Sequence, residues 1–149
     1  NVLIDYGCGK GRVDFFLSYQ LRCKTIGVEY DKRLYEIGLR NKKAAVSGRT
    51  IEFVLANAEN YEVPIEADCF YFFNPFSIEI LKHVMGRILV SYYQKVREMK
   101  LFFYYPSDEY VSYLMQVEEL EFEDEISCKD LFDGMNPRER VLIFVTQKI

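Results

Sequence analysis

Short, continuously apolar runs recur along this chain, and segments of helical periodicity separate most of the first five. The clearest run, residues 68–73, reads Asp-Cys-Phe-Tyr-Phe-Phe and has no polar alternation. A strand that is apolar on both sides is typical of a mostly parallel sheet with helices packed on both faces. The predicted strands are residues 2–4, 25–28, 51–55, 68–73, 101–105, 120–128 and 141–146.

Helical spacing and capping residues predict the connections. After the first strand, apolar residues at 13, 16, 17 and 21 recur at helical spacing. Asp31 is placed to cap a second helix that continues to about Val46, with Ser47 and Gly48 closing it. Ser77 and Ser107 are placed to cap a long and a short helix after the fourth and fifth strands.

The last two strands follow each other without a helix. In residues 120–128 apolar and polar side chains alternate, which predicts a half-exposed strand. We expect it to form an antiparallel pair with 141–146 that closes one edge of the sheet. The predicted fold is a Rossmann-like three-layer α/β/α sandwich with a seven-stranded, mostly parallel sheet. Residues 1–149 form a single domain in this interpretation, and the start at Asn1, directly in a strand, indicates a missing N-terminal segment.

Composition narrows the functional classes. The net charge is −4, which argues against a nucleic-acid-binding surface because phosphate neutralisation needs positive charge. Twelve Tyr and twelve Phe in so short a chain require that many rings lie in the core. The four cysteines are scattered and there is one His, so no zinc site is predicted. Reduced, mostly buried thiols in a cytoplasmic protein, with no membrane span, are the expectation.

The segment after the first strand contains glycines at 7, 9 and 11. In open parallel sheets ligands bind beyond the carboxyl ends of the strands, where glycines let the backbone approach a ligand closely. The helix start beyond them offers N–H groups to a phosphate or a carboxylate. The spacing is G-x-G-x-G, whereas the dinucleotide fingerprint is G-x-G-x-x-G, which weakens a nicotinamide or flavin interpretation.

Glu29 ends the second predicted strand. A carboxylate at that position can accept hydrogen bonds from both hydroxyls of a ribose. Together with the glycine segment, it predicts an adenosine-like ligand.

The segment VLIDYGCGKG resembles motif I, (D/E)xGxGxG, of the class I S-adenosylmethionine-dependent methyltransferases, with matches at Asp5, Gly7, Gly9 and Gly11. The resemblance extends over essentially the whole chain and implies the strand order 3-2-1-4-5-7-6. It also implies that S-adenosyl-L-methionine is the cofactor and that the protein is a methyltransferase.

Two further segments are similar to motifs of that family. GVEYD looks like the second motif, which implies that Glu29 holds the cofactor ribose, and LANAENY looks like the third. There Asn57 would take the position that contacts the adenine amino group, and Ala58 would supply a backbone N–H to the ring. The implied cofactor-binding residues are Asp5, Tyr6, Gly7, Cys8, Gly9, Gly11, Glu29, Tyr30, Asn57, Ala58 and Asn74.

Asn74, Pro75 and Phe76 occupy the position of the fourth motif, (D/N)PP(Y/F) in amino-methylating members, although this chain has one proline. The resemblance implies a catalytic trio in which Asn74 and the Pro75 carbonyl accept hydrogen bonds from a target NH₂ and Phe76 stacks on the acceptor. Asn and Pro are also common turn residues, so a structural turn is an equal interpretation.

The chain also departs from the family pattern. The connection over residues 59–66 is short, so the helix expected there should be absent or reduced to a turn. His83 is predicted to be a surface or packing residue. The alternatives to methyl transfer are a non-catalytic cofactor-binding module that acts with a partner and, less favoured, a nicotinamide-dependent oxidoreductase. The acceptor stays open, with a small molecule or protein favoured slightly over nucleic acid by the acidity.

Overall fold

The computed structural model of the chain describes residues 1–7, 23–44, 50–73, 76–127 and 140–146. Within these ranges the sheet has seven strands in the order β3-β2-β1-β4-β5-β7-β6. The predicted fold class and strand order are confirmed. The strands are β1 (Val2–Tyr6), β2 (Lys24–Glu29), β3 (Ile51–Leu55), β4 (Cys69–Phe72), β5 (Lys100–Tyr104), β6 (Leu120–Ser127) and β7 (Arg140–Thr146).

The first five strands run parallel. β1 lies in the middle and pairs with β2 on one side and with β4 on the other, so that Tyr6 is opposite both Val28 and Phe72. β3 pairs with β2, and β5 pairs with β4. β7 is antiparallel to both β5 and β6, which confirms the predicted closing pair. The carboxyl ends of five strands therefore meet at one edge.

Three described helices have the caps that the sequence predicts. The Asp31 carboxylate accepts hydrogen bonds from the first amides of α1 (Lys32–Ala44), at 2.8 Å from Arg33 and 3.2 Å from Leu34. Ser77 caps α2 (Ile78–Gln94) and Ser107 caps α3 (Asp108–Leu114) through their side-chain oxygens. The helix predicted around residues 13–21 and the predicted end of α1 near Val46 lie outside the described residues.

The connection from β3 to β4 has no α-helix, as predicted. It consists of a short 3₁₀ helix, Ala58–Asn60, followed by an extended segment over residues 61–68. Val63 and Ala67 of this segment are buried against the core on the side of α2. The segment therefore covers part of the sheet that a helix would otherwise cover.

Two hydrophobic layers lie on opposite faces of the sheet. Gly38 of α1 lies close enough to Phe53 that an added Cβ would meet its ring at 3.5 Å. The larger layer lies under α2 and α3 and is rich in aromatic rings, as predicted. In it Tyr6 stacks on Phe72 at 4.9 Å, and Phe72 stacks on Phe103 at 4.6 Å.

The edge strand β6 is more exposed than the sequence predicts. Leu120 is buried, but Phe122 is 41% exposed and Ile126 is 49% exposed. A bulge at Glu123 explains the exposure of Ile126, because Phe122 pairs with Phe144 whereas Asp124 pairs with Ile143. Directly opposed residues share a face, and one extra residue moves all later side chains to the other face. The predicted half-buried alternation is therefore wrong beyond Phe122.

Two of the four cysteines are described. They are Cys23 and Cys69, and both side chains are partly exposed. The prediction of buried thiols is therefore wrong for these two, whereas Cys8 and Cys128 lie outside the described residues. Burial and the neighbouring Asp68 raise the pKa of the Cys69 thiol to about 11.

None of the described helices combines the length and the apolarity that a bilayer crossing requires.

Candidate functional site

A cavity of about 370 Å³ lies at the carboxyl edge of the sheet, beside the ends of β1, β2 and β3 and the start of α2. This volume lies in the usual range for small-molecule sites. It is also at the point where strand order reverses, because β1 has β2 on one side and β4 on the other. The described residues that line it are Gly7, Val28, Glu29, Tyr30, Ala56, Asn57, Ala58, Glu59, Phe76 and Ile80.

Gly7 forms the turn that leaves β1. Its φ of 70° lies in the left-handed region, where a side chain is disfavoured and glycine is not. Its N–H donates a hydrogen bond to the Val28 carbonyl at 2.9 Å, which ties the ends of β1 and β2 together. The backbone of Gly7 thus forms part of the cavity wall.

Glu29 lies at the end of β2 and is only 8% exposed. Its Oε2 accepts a hydrogen bond from the Asp31 N–H at 2.8 Å, and its backbone carbonyl accepts one from the Ala56 N–H at 3.0 Å. These bonds fix the orientation of the carboxylate at the cavity. The next residue, Tyr30, is 76% exposed and also lines the cavity.

The turn over residues 57–59 forms another wall. The Asn57 Oδ1 accepts a hydrogen bond from the Glu59 N–H at 3.0 Å, which caps the 3₁₀ helix that begins at Ala58. The Glu59 carboxylate pairs with His83 Nδ1, and the Glu59 carbonyl accepts a hydrogen bond from Arg87 Nε at 3.0 Å. Helix α2 therefore holds this turn, and His83 lies at the surface, as predicted.

Phe76 is the described member of the predicted catalytic trio, since Asn74 and Pro75 lie outside the described residues. Its ring meets Tyr6 edge-on at 6.3 Å and Phe72 edge-on at 6.4 Å, and it lines the cavity. The ring is therefore supported by the core on one side and faces the cavity on the other.

Two predicted cofactor residues are not among those that line the cavity. Asp5 is buried within β1, and Tyr6 is buried in the aromatic layer. The Tyr6 hydroxyl has no hydrogen-bond partner within the described part of the chain, and burial raises its pKa. The predicted cofactor residues Cys8, Gly9, Gly11 and Asn74 lie outside the described residues.

Some residues of the site were not predicted from the sequence. Val28, Ala56, Glu59 and Ile80 line the cavity, and each lies within a few residues of a predicted one. Proximity along the chain was the available signal for them. Ile80 belongs to the first turn of α2, and nothing in its local sequence distinguishes it from the apolar positions that face the core.

No family model matches the chain, and no curated protein sequence matches it. Solved structures do. The glycopeptide N-methyltransferase MtfA, in complex with S-adenosyl-L-methionine, matches with a TM-score of 0.72 and 9% identity over 99% of this chain and 87% of that one. The chain has the fold of the class I methyltransferases.

Further structures with the methyltransferase fold also match. A TehB-like S-adenosylmethionine-dependent methyltransferase from Corynebacterium glutamicum gives a TM-score of 0.66 at 17% identity, over 99% of this chain and 80% of that one. The CcbJ methyltransferase from Streptomyces caelestis gives 0.71 at 13% identity, over 98% and 83%. The resemblance predicted from the glycine motif is therefore confirmed at the level of the fold.

Proposed function

We propose that this chain is an S-adenosyl-L-methionine-dependent methyltransferase and that the cofactor occupies the cavity at the carboxyl ends of β1, β2 and β3. One observation carries the proposal. Predicted cofactor residues from three separate loops line one cavity, and they do so on the methyltransferase fold. They are Gly7, Glu29, Tyr30, Asn57 and Ala58.

The Glu29 carboxylate suits the cofactor ribose. It has two oxygens with about four lone-pair sites, one of which accepts the hydrogen bond from the Asp31 N–H. The bond also orients the carboxylate before a ligand arrives, which reduces the entropy that binding costs. The two neighbouring hydroxyls of a ribose can each donate a hydrogen bond to such a carboxylate.

The other side of the cavity suits an adenine ring, which has apolar faces and a polar edge. Val28 and Ile80 provide aliphatic surface. Ala58 begins the 3₁₀ helix, and the first N–H groups of a helix have no partner within it. We infer that this N–H and the Asn57 amide recognise the polar edge of the ring. Asn57 has both donor and acceptor groups, so it can pair with acceptors and donors of the ring edge.

The left-handed turn at Gly7 brings main chain to the cavity wall, beside the place for the ligand's ribose and amino-acid portion. The predicted contributions of Cys8, Gly9 and Gly11 stay predictions, as do those of Asp5 and Tyr6. When bound, S-adenosylmethionine supplies a methyl group on a positively charged sulfur that is already activated for transfer. The chain's own residues then have to orient the acceptor and exclude water.

The acceptor side is proposed to include Asn74, Pro75 and Phe76, with an amino nitrogen as one possible target. Phe76 supports this because its ring lines the cavity. The preference for a small-molecule or protein acceptor rests on the net charge of −4, and the cytoplasmic location rests on the scattered cysteines. Both stay predictions.

Binding of the cofactor product tests the proposal directly. Calorimetry with S-adenosylhomocysteine should give one-to-one binding to the wild-type chain. Glu29→Gln should weaken it about tenfold or more, because a hydrogen bond to a charged group contributes roughly 1.5–3 kcal/mol. Glu52→Gln is the matched control, since Glu52 is an exposed carboxylate on the neighbouring strand β3 that pairs with Lys24 at 3.9 Å. Absence of binding, or equal effects of the two variants, would contradict the proposed site.

Methyl transfer is tested separately from binding. Radiolabelled S-adenosylmethionine is incubated with the protein and with RNA, DNA, protein and small-molecule fractions of a cell extract, and label is expected in one fraction. Binding without transfer to any fraction would instead identify a cofactor-binding module. Fluorescence titration with NADH, for which no binding is expected, tests the oxidoreductase alternative.

A further inference from the structure

One buried side chain fixes the backbone at Phe76. The Phe76 N–H donates a hydrogen bond to the Tyr110 Oη at 3.0 Å, and the Tyr110 hydroxyl donates one to the Phe76 carbonyl at 2.6 Å. Tyr110 lies on α3 and is almost completely buried. A single hydroxyl thus satisfies both polar groups of one residue 34 positions earlier in the chain.

The position of this hydroxyl is itself well defined. α3 follows β5 after a turn in which Tyr105 has a φ of 56°, and the Ser107 side chain accepts a hydrogen bond from the Tyr110 N–H at 3.2 Å. The Tyr110 ring packs edge-on against Phe103 of β5 at 6.3 Å. The sheet and the capped helix together orient the phenol toward Phe76.

What Tyr110 holds is the connection between the fourth motif and α2. Phe76 follows Asn74 and Pro75 directly and precedes Ser77, the N-cap of α2. Its ring lines the cavity. A shift of the Phe76 backbone therefore moves the ring at the cavity wall.

We infer that Tyr110 is a positioning residue for the acceptor side of the site: its hydroxyl holds the backbone of Phe76, and with it the Phe76 ring at the cavity wall, where methyl transfer requires it. The inference rests on the proposed function. Geometry errors of about 1 Å near a reacting centre can reduce rates about 100-fold. Loss of the two hydrogen bonds between the Tyr110 hydroxyl and the Phe76 backbone should therefore reduce turnover more than cofactor affinity.

The chain contains a matched control for a purely structural role. Thr146 Oγ1 accepts a hydrogen bond from the Met99 N–H at 2.8 Å and donates one to the Arg97 carbonyl at 2.9 Å. Like the Tyr110 hydroxyl, this hydroxyl accepts from one backbone N–H and donates to one backbone carbonyl, but it lies at the opposite end of the sheet. Tyr110→Phe and Thr146→Val each delete one such hydroxyl and keep most of the apolar volume.

The experiment compares both variants with the wild type. Affinity is measured with S-adenosylhomocysteine by calorimetry, and turnover is measured with saturating radiolabelled S-adenosylmethionine and the extract fraction that the wild type methylates. Tyr110→Phe should lower turnover at least tenfold and change the Kd less than threefold. Thr146→Val should change neither, although both variants should show a lower Tm.

The outcomes separate the inference from the proposed function. If the wild type does not bind S-adenosylhomocysteine, the proposed function fails and the inference falls with it. If the wild type transfers methyl groups and the two variants turn over within twofold of each other, Tyr110 is structural only and the inference alone is overturned. Wild-type binding without any transfer overturns it as well.

A measurement on the wild type avoids dependence on a variant that does not fold. Amide hydrogen exchange of the free protein should show the Phe76 N–H strongly protected, because it donates to a buried oxygen. Exchange at the rate of an unprotected amide would show that the Tyr110 hydroxyl does not hold the Phe76 backbone in the free protein, and it would overturn the inference.

Discussion

At Gly7 the backbone has a φ of 70°, and the amide bonds to the end of the neighbouring strand. A Cβ at this φ is disfavoured by about 1–2 kcal/mol because it approaches the following carbonyl oxygen. The turn itself thus favours glycine at this position, before any ligand is considered. The same turn brings main chain to the cavity wall.

Replacing Gly7 by Ala should therefore lower the free energy of unfolding by about 1 kcal/mol. Gly86→Ala is a control of opposite sign. Gly86 lies within α2, and an added Cβ would meet nothing within 4 Å. Removing glycine from a helix interior should raise the free energy of unfolding by about 0.5–1 kcal/mol. Urea denaturation of both variants measures this, and changes of the same sign would contradict the assignment of strain to Gly7.

Individual site residues were predictable where local chemistry determines their position. Glu29 follows a buried strand directly, and residues at the carboxyl end of a parallel strand reach the ligand edge whatever the rest of the sheet does. Tyr6 belongs to the same edge along the chain, yet its ring enters the aromatic layer. Its side of the sheet depends on the pairing of β1 with β2 and β4. Tyr110 was not predictable as a partner of Phe76 because their contact arises only from tertiary packing.

At the scale of elements, the extended segment 61–68 takes the place of a helix and is held by Arg97. This guanidinium donates to the carbonyls of Pro64 and Ala67 in the segment, and to those of Ser91 and Lys95 near the end of α2. It thus adds a donor to the carbonyls at the end of the helix, among them that of Ser91, which also accepts a hydrogen bond from the Lys95 N–H at 3.2 Å. Partial burial lowers the pKa of Arg97, although arginine stays charged at neutral pH.

Arg97→Met should lower the free energy of unfolding by about 2–3 kcal/mol, because four backbone carbonyls each lose a hydrogen bond from the guanidinium at once. Arg87→Met is the matched control. Arg87 lies on the exposed side of α2 and donates one hydrogen bond to the Glu59 carbonyl. Its loss should cost less than about 1 kcal/mol. Thermal and urea denaturation compare the two, and equal losses would show that the Arg97 network does not stabilise the segment.

Elements with local determinants matched their predictions, and those with distant determinants did not. Asp31, Ser77 and Ser107 cap their helices because a cap depends on amides two or three residues away. The bulge at Glu123 depends on how β6 pairs with β7. The alternation in residues 120–128 is compatible with an unbroken strand, so the pattern alone gave no sign of the extra residue.

At the scale of the whole molecule, the buried tyrosines determine how the stability of the fold depends on pH in the alkaline range. Burial raises the pKa of Tyr6 and of Tyr110, and burial together with Glu52 and Glu66 raises the pKa of Tyr61 to about 12. An unfolded tyrosine has a pKa of about 10. Below pH 10 the phenols are neutral in both states, so they do not make stability depend on pH.

Above pH 10 the unfolded chain releases these protons while the folded chain retains them, so stability should fall as pH rises. Each retained proton steepens the fall by about 1.4 kcal/mol per pH unit. Urea denaturation between pH 9 and 11.5, with tyrosinate absorbance as a second signal, measures it. Tyr6→Phe should make the decline shallower, because it removes one of the phenols that stay protonated in the folded chain. The Tyr6 hydroxyl has no partner among the described residues, so the substitution breaks no hydrogen bond there. Parallel curves for wild type and variant would refute this role of Tyr6.

The position of β1 in the sheet affects the order in which the chain can be completed on the ribosome. β1 is synthesised before both strands that flank it, yet one of these two neighbours is β4, and Leu3 pairs with Cys69. The nascent strand must therefore stay unpaired on that side until more than sixty further residues have emerged, and closing so long a loop slows folding. The cavity wall at Gly7 is thus synthesised before the other strands of the sheet, but the strand that carries it is enclosed only after β4 has been translated.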